Sequence, residues 1–335
     1  MGPKARVPRY GAVKRKQPGG VDWRVTNQSS QHALRIGLDL GGSKIEGVLM
    51  NFDATELARY RTASPRNDYP ATLEALVGLT SKLMQGTDAI KVGIAVPGSI
   101  SPITGLIQNA NSTWLNGRAL HRDLALALGT PVRLANDANC FALSEAKDGA
   151  AENARIVFGV ILGTGCGGGI VVDGRLLDGP LGIGGEWGHN PLPWAKPDEY
   201  PGPTCWCGRK GCLEKWVSGP GLAADHARVT GETFTAIEIA ERFKSGSQSA
   251  RVTLSRHADR LARGLAHVVN IIDPDVIVLG GGLSQLSHLY EQLPELIGPH
   301  IFADRGSVVI KPPKWGDASG VRGAARLWDL QSRRG

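Results

Sequence analysis

Residues 34–51 (LRIGLDLGGSKIEGVLMN) and 157–174 (VFGVILGTGCGGGIVVDG) are built to one plan: an apolar strand, a glycine-rich turn, a second apolar strand. In the first, Ile36, Leu38 and Leu40 alternate with smaller or polar residues before the apolar run resumes at Ile45, the period of a strand rather than a helix. The two share little identity, so the likeness is architectural. Hairpins about 120 residues apart point to a duplicated fold with a turn able to grip phosphate in each half.

The intervening sequence alternates helix and strand. Leu73, Leu76, Val77, Thr80 and Leu83 mark one face of a helix over 71–85. KVGIAVPG is a short strand ending at Pro97 and Gly98, and VRLAND is another, followed by a helix in ANCFALSEAKDGA. Leu261, Leu265, Val268 and Ile272 mark a further helix, which DPD breaks before the strand VIVL and the glycines at 280–282. SGVRGAARLW reads as a loop and a final helix. Buried apolar strands alternating with helices give an α/β class, and the placing of the hairpins favours two lobes with a cleft between them.

A chain of 335 residues predicts two domains and a sizeable core. The net charge of +7 is concentrated at one end: residues 1–33 hold seven Lys/Arg against Asp22 alone, while the remainder carries 31 basic and 30 acidic groups. The nearly neutral body excludes a nucleic-acid surface as the main feature. The segment 1–33 lacks the apolar stretch of a secretory signal and reads as a disordered basic leader. No apolar run approaches the roughly 20 residues of a membrane span. Five cysteines, an odd number without a secretory signal, argue against a disulfide framework and for reducing cytoplasm.

The turn DLGGSK lacks Walker A spacing, and a strand follows it where a dinucleotide fingerprint needs a helix. It is either a plain hairpin turn or a phosphate grip: Gly41, Gly42, Ser43 and Lys44 offer N–H groups, a hydroxyl and an ammonium, and Asp39 can hold Mg²⁺ through water. Gly163, Thr164 and Gly165 offer the same in the second half, and Gly281 and Gly282 let backbone approach a flat ligand. Asp137 ends a strand and starts a helix, where its plainest role is an N-cap. Glu186 and His189 stand three apart beside a glycine pair, a set suited to vicinal hydroxyls or simply to a solvated loop. Three of the five cysteines fall within CWCGRKGC. Cys205, Cys207 and Cys212 with His189 supply S₃N for a closed, structural, tetrahedral Zn²⁺ site; a CxC redox pair and unrelated thiols are the rivals. The linker from His189 to Cys205 reads as free to vary between pinned ends. Cys140 and Cys166 lie outside this set and read as small buried packing residues.

DLGGSK, LANDAN, GTGCGGG, GGEWGH, CWCGRKGCLE and PDVIVLGGG occur in this order and at fitting intervals. Together they resemble the ROK family of repressors, open-reading-frame proteins and sugar kinases, over about residues 34–330. NANSTWLNG, EWGHNPLPW and GDASGVRGAA resemble its fructokinase/mannokinase branch. The resemblance implies an actin-like ATPase (ribonuclease H-like) fold with a small lobe over 34–133, a large lobe over 134–317 carrying the zinc knuckle, and a last helix at about 318–330 returning to the small lobe. It implies ATP with Mg²⁺, gripped by the residues of the glycine turns with Gly281 and Gly282 beside the adenosine, and a structural zinc. It makes Asp137 the general base and Asn136, Glu186, His189, Glu214 and Asn111 sugar contacts, with Gly98 letting backbone approach the same ligand.

The expected activity is ATP-dependent phosphorylation of the 6-hydroxyl of a hexose. Fructose is expected to turn over best and N-acetylglucosamine worst, since no motif announces a pocket for an acetyl group; N-acetylglucosamine kinase and glucokinase or mannokinase are the near alternatives. A sugar-responsive repressor would need a helix-turn-helix of some 60 or more residues ahead of Leu34, where only 33 stand. An actin-like assembly protein would explain the glycine turns and leave the zinc set and GGEWGH unexplained. The partner is then a hexose, with neither nucleic acid nor membrane, and a homodimer would be in keeping with the family.

Overall fold

The computed structural model describes residues 34–84, 90–304 and 307–329; the basic leader lies outside them. Both hairpins are present. β1 (Leu34–Leu40) and β2 (Lys44–Met50) pair antiparallel around the first turn, and β3 (Glu56–Ala63) adds a third strand at the edge. After α1 (Tyr69–Met84), β4 (Ile90–Val96) lies parallel to β1. A two-stranded hairpin, β5 (Ser99–Ile100) and β6 (Ile107–Gln108), and α2 (Leu120–Leu128) lead to β7 (Val132–Asn136), parallel to β4. The first sheet therefore runs β3-β2-β1-β4-β7.

The second half repeats this plan. α3 (Asp137–Asp148) enters the hairpin of β8 (Ile156–Leu162) and β9 (Cys166–Val172), with β10 (Arg175–Leu176) on its edge. The helices α4 (Glu214–Val217), α5 (Gly219–Thr230), α6 (Ala236–Lys244) and α7 (Gln248–Ile272) follow. Then β11 (Val276–Gly280) pairs parallel with β8, α8 (His288–Ile297) intervenes, and β12 (Ile310–Lys311) closes the sheet in the order β10-β9-β8-β11-β12. Each sheet has its own core: Ile36, Leu38, Leu76 and Ile94 in the first, Val160, Leu162, Leu261 and Leu265 in the second. The mixed α/β sheets and two-lobe plan are those of the actin-like ATPase fold. We place the proposed lobe boundary at the β7–α3 junction instead of 133/134, which falls inside β7. Among the described residues, no helix is long and apolar enough to cross a membrane.

The halves are joined through α9 (Ser319–Arg326), which is followed by a short 3₁₀ turn to Asp329. Three glycines let it lie backbone to backbone on its neighbours. A Cβ at Gly37 in β1 would stand 2.0 Å from the Val321 carbonyl, and one at Gly93 in β4 would stand 1.9 Å from that of Ala324. A Cβ at Gly323 in α9 would stand 1.7 Å from the Cys140 carbonyl of α3. Gly323→Ala therefore has to push two helices apart, and its expected cost is about 2 kcal/mol or more, in the upper part of the overpacking range. Urea unfolding measures it, with Gly78→Ala as control. That glycine has nothing within 4 Å of its Cβ position, so alanine there should be neutral or stabilising by a few tenths of a kcal/mol or more.

Candidate active site

Parallel strands deliver side chains to the edge where they end, the usual place for a ligand in such sheets. The register sets Asp39 opposite Ala95, Ala95 opposite Ala135 and Val96 opposite Asn136. Asp39, Gly98 and Asp137 thus lie along one edge of the first sheet. In the second sheet Gly280 is opposite Ile161, so the turn at Gly163–Gly165 and the glycines 281 and 282 share an edge. Gly281 packs on the end of β8, where a Cβ would stand 2.5 Å from the Leu162 carbonyl.

Asn136, not Asp137, caps α3. Its Oδ1 accepts the Ala138 N–H at 2.9 Å and the Asn139 N–H at 3.4 Å, while its Nδ2 donates to the Gly98 carbonyl at 2.9 Å. Asp137 is the first residue of the helix, with Oδ1 accepting the Ala138 N–H at 2.8 Å. Burial raises its carboxyl above the usual range, against the pull of that N–H. Burial, followed by the charge of Asp137, lifts Asp39 to about 7. Glu46 and Asp317 push in the same direction; sequence reading passed over Asp317, although it stands in the quoted GDASG.

Gly98 has φ +73°, and a Cβ there would stand 2.4 Å from the Gln108 carbonyl. Its glycine is demanded by the fold of the β5–β6 hairpin whatever ligand it meets. Asn111 is exposed in a loop that Asn116 fastens, through paired 2.9 Å bonds to the N–H and carbonyl of Ala110. Sequence reading passed over Asn116, whose clasp closes a loop of six residues. In the first turn the Gly41 N–H is taken by the Lys44 carbonyl at 3.0 Å, and Arg66 Nε donates to the Gly42 carbonyl at 3.0 Å. Ser43 accepts through its carbonyl from the Ser64 N–H at 3.1 Å. The half-exposed Lys44 ammonium is 3.9 Å from Glu46. In the second turn, Gly163 N–H bonds to the Gly165 carbonyl at 3.0 Å, with Thr164 between them, and the Gly163 carbonyl accepts from Gly219 N–H at 2.8 Å.

Glu186 precedes and His189 ends a 3₁₀ turn, Trp187–His189, which the Trp187 indole fixes by donating to the Gly167 carbonyl at 3.0 Å. Burial raises the Glu186 carboxyl; the charge of His189 opposes this, and those of Asp137 and Glu214 add to it. Glu214, at the start of α4, accepts the Cys166 N–H at 3.1 Å on Oε2 and the Trp206 indole N–H at 2.9 Å on Oε1. It thereby ties the cysteine loop to the second glycine turn, a bridge through Trp206 that sequence reading missed.

His189, Cys205, Cys207 and Cys212 come together, with ligand atoms all within 4.8 Å of one another. Cys205 Sγ is 3.7 Å from His189 Nδ1, and Cys207 Sγ is 3.5 Å from Cys212 Sγ. A tetrahedron with Zn–S near 2.3 Å has S···S edges of about 3.8 Å, so the set fits a zinc ion. With Nδ1 turned to the sulfurs, Nε2 is left for another partner. The linker behind His189 is not free, as the sequence suggested: Glu199 in a 3₁₀ turn (Pro197–Glu199) is buried against Arg260 and Arg263 of α7. Cys140 and Cys166 are buried packing residues as expected.

The ROK family model matches residues 35–331. N-acetyl-D-glucosamine kinases of Haemophilus influenzae and Photobacterium profundum are each 39% identical, over 304 and 300 residues, covering 88% of this chain and 99% of theirs. Among solved structures, a ROK hexokinase from Thermus thermophilus matches with TM-score 0.78 and 30% identity over 89% of this chain and all of that one. A ROK glucokinase from Streptomyces griseus, in complex with glucose and AMPPNP, matches with TM-score 0.71 and 26% identity over 90% of this chain and all of that one. The relatives' names carry N-acetylglucosamine where the sequence motifs suggested fructose. Paired sheets, the two glycine turns and a family match across nearly all the described residues lead to one conclusion: the chain belongs to the ROK family.

Proposed function

We propose that this ROK sugar kinase transfers the γ-phosphoryl group of ATP to the 6-hydroxyl of N-acetyl-D-glucosamine. The observation that carries the kinase chemistry is the Asp137 carboxylate, half-buried at the start of α3 on the sheet edge it shares with Asp39 and Gly98, where its charge acts on Asp39 and Glu186. The choice of sugar leans on relatives at 37–39% identity that bear that name.

Phosphoryl transfer passes through a loose transition state, so the protein's work is to position reactants and to accept a proton late. In our reading Asp137 accepts the proton of the 6-hydroxyl. Glu186, His189 through Nε2, and Glu214 hold the remaining hydroxyls, with Asn136, Asn111 and the Gly98 backbone completing the grip. The phosphates lie between the turns at Gly41–Lys44 and Gly163–Gly165, with Gly281 and Gly282 against the adenosine. Asp39 would hold the Mg²⁺ that accompanies ATP, which would supply charge neutralisation to the phosphates. A zinc held by His189, Cys205, Cys207 and Cys212 is structural and fixes the segment carrying the sugar ligands.

A coupled assay of ADP release across a hexose panel tests the reading. The expected order places N-acetylglucosamine highest in kcat/KM. Glucose, fructose and mannose should fall about 10- to 100-fold lower, because buried groups that meet the acetamide lose their partners. A higher kcat/KM for fructose would overturn the choice of sugar, and no ADP release with any hexose would overturn the kinase assignment.

A further inference from the structure

Fifteen residues separate His189 from Cys205, long enough for this linker to move independently of a metal at its end. The structure fastens it to α7 instead. Glu199 is 4% exposed, and its carboxylate is fully occupied. Oε1 accepts from Arg260 Nε at 2.7 Å and Arg263 Nη2 at 2.8 Å; Oε2 accepts from Arg263 Nη1 at 2.9 Å and the Lys196 N–H at 2.9 Å. Arg263 Nη1 also donates to the carbonyls of Pro193 and Trp194, at 3.1 and 3.0 Å. One guanidinium therefore reads three points of the incoming segment.

The outgoing segment rests on the same helix. The Arg260 guanidinium lies 4.5 Å over the Trp216 ring, and His257 Nε2 stands 2.9 Å from the Val217 carbonyl. Both Trp216 and Val217 belong to α4, which Glu214 opens. α7 thus holds the chain on each side of the cysteine loop through contacts that include no metal ligand. Buried ion clusters add little net stability compared with apolar packing. What a bidentate guanidinium–carboxylate pair supplies is direction, because both planes must match.

We propose that Glu199, Arg260 and Arg263 form a metal-independent anchor that positions the sugar-binding segment, so that the anchor and the metal together set where Glu186 and His189 stand. The three are positioning residues, and their effect on the reaction rests on the hexose-kinase reading above.

The test compares wild type with Glu199→Gln and with Glu199→Gln/Arg263→Met, all zinc-loaded and with metal content measured. The double variant removes opposite charges together and serves if the single variant fails to fold; Arg260 keeps Asp225 at 3.0 Å and Asp259 keeps Lys196 at 3.0 Å, so neither is left without an ionic partner. The expected result is unchanged zinc content and ATP KM, with hexose KM raised about 10- to 100-fold and kcat altered by less than about 3-fold, the signature of lost sugar binding. Arg263→Lys, which keeps the charge and loses the fork, should fall between. Hydrogen exchange supplies a readout independent of activity. The Lys196 and Glu199 amides, which donate to Glu199 Oε2 and to the Lys196 carbonyl at 2.9 Å each, should stay protected in wild type after a chelator removes the zinc, and should exchange quickly in the variants with zinc bound. Loss of that protection in chelated wild type would overturn the anchor, as would an unchanged hexose KM in variants whose two amides exchange freely. If wild type phosphorylates no hexose, the functional reading fails while the exchange experiment still decides whether the anchor exists.

Discussion

Asp137→Asn is expected to lower turnover by about 10²–10⁴-fold, the scale of lost general-base catalysis, with fold and hexose affinity retained. The structure makes this a clean substitution. The cap of α3 is Asn136, so changing Asp137 leaves the helix start intact. The Oδ1 of an asparagine can still accept the Ala138 N–H that Asp137 accepts at 2.8 Å. Removing the charge also relieves Asp39, whose carboxyl the Asp137 charge helps to raise, so stability should hold or improve. The remaining difference is the missing proton acceptor. Turnover is read in the coupled assay, fold by circular dichroism and melting temperature, and hexose affinity by calorimetry. Turnover within about 3-fold of wild type would remove Asp137 from the role of base. A matching loss of hexose affinity would recast it as a binding residue.

Local signals carried much of this site. Strand, glycine turn and strand are written within 18 residues, and the parallel strands that follow announce their ends with Pro97–Gly98 and Asn136–Asp137. The close spacing of Cys205, Cys207 and Cys212 is a local signal of the same kind, and it picks out the thiol set. Contacts made across the chain were not legible. Nothing local distinguishes Asn136 from Asp137 as the cap, since both types favour that position; the choice is made by Gly98, 38 residues away, which takes the Asn136 amide. Glu199 stands beside Asp198 in a loop with no period around it, and its meaning lies in arginines more than 60 residues later. Gly323 reads as one small residue among several in GVRGAA, yet it marks the crossing of α9 over α3. The sugar that we propose, N-acetylglucosamine, was not legible for a different reason. Carboxylates and an imidazole that grip hydroxyls suit many hexoses, and a pocket for an acetyl group is a shape assembled from several segments, with no motif of its own.

Cys212→Ser is expected to abolish zinc binding and to raise hexose KM by at least about 10-fold, while the chain stays folded. Cys212 is 1% exposed, and its sulfur lies 3.5 Å from that of Cys207 and the same distance from the His189 carbonyl. A serine oxygen is a shorter, harder and more weakly acidic donor, so an S₃N set becomes S₂N and loses its fit to the metal. Metal binding at such a site is coupled to folding of the segment that holds it. Here the coupling should be local, because α7 grips the chain on both sides of the loop without using a metal ligand. The loss then falls on Glu214, whose Oε1 depends on the Trp206 indole between two of the cysteines, and on His189, whose ring loses the ion that orients it. ATP binding, which we propose is built on the glycine turns, should change far less. Elemental analysis of freshly purified wild type should give about one zinc per chain, lost in the variant, with the hexose and ATP constants measured in parallel. Wild type without zinc would overturn the structural-metal reading. So would a Cys207–Cys212 disulfide in that material, because closing it requires the two sulfurs to approach from 3.5 Å to about 2.0 Å, which destroys the tetrahedral arrangement on which the ion depends.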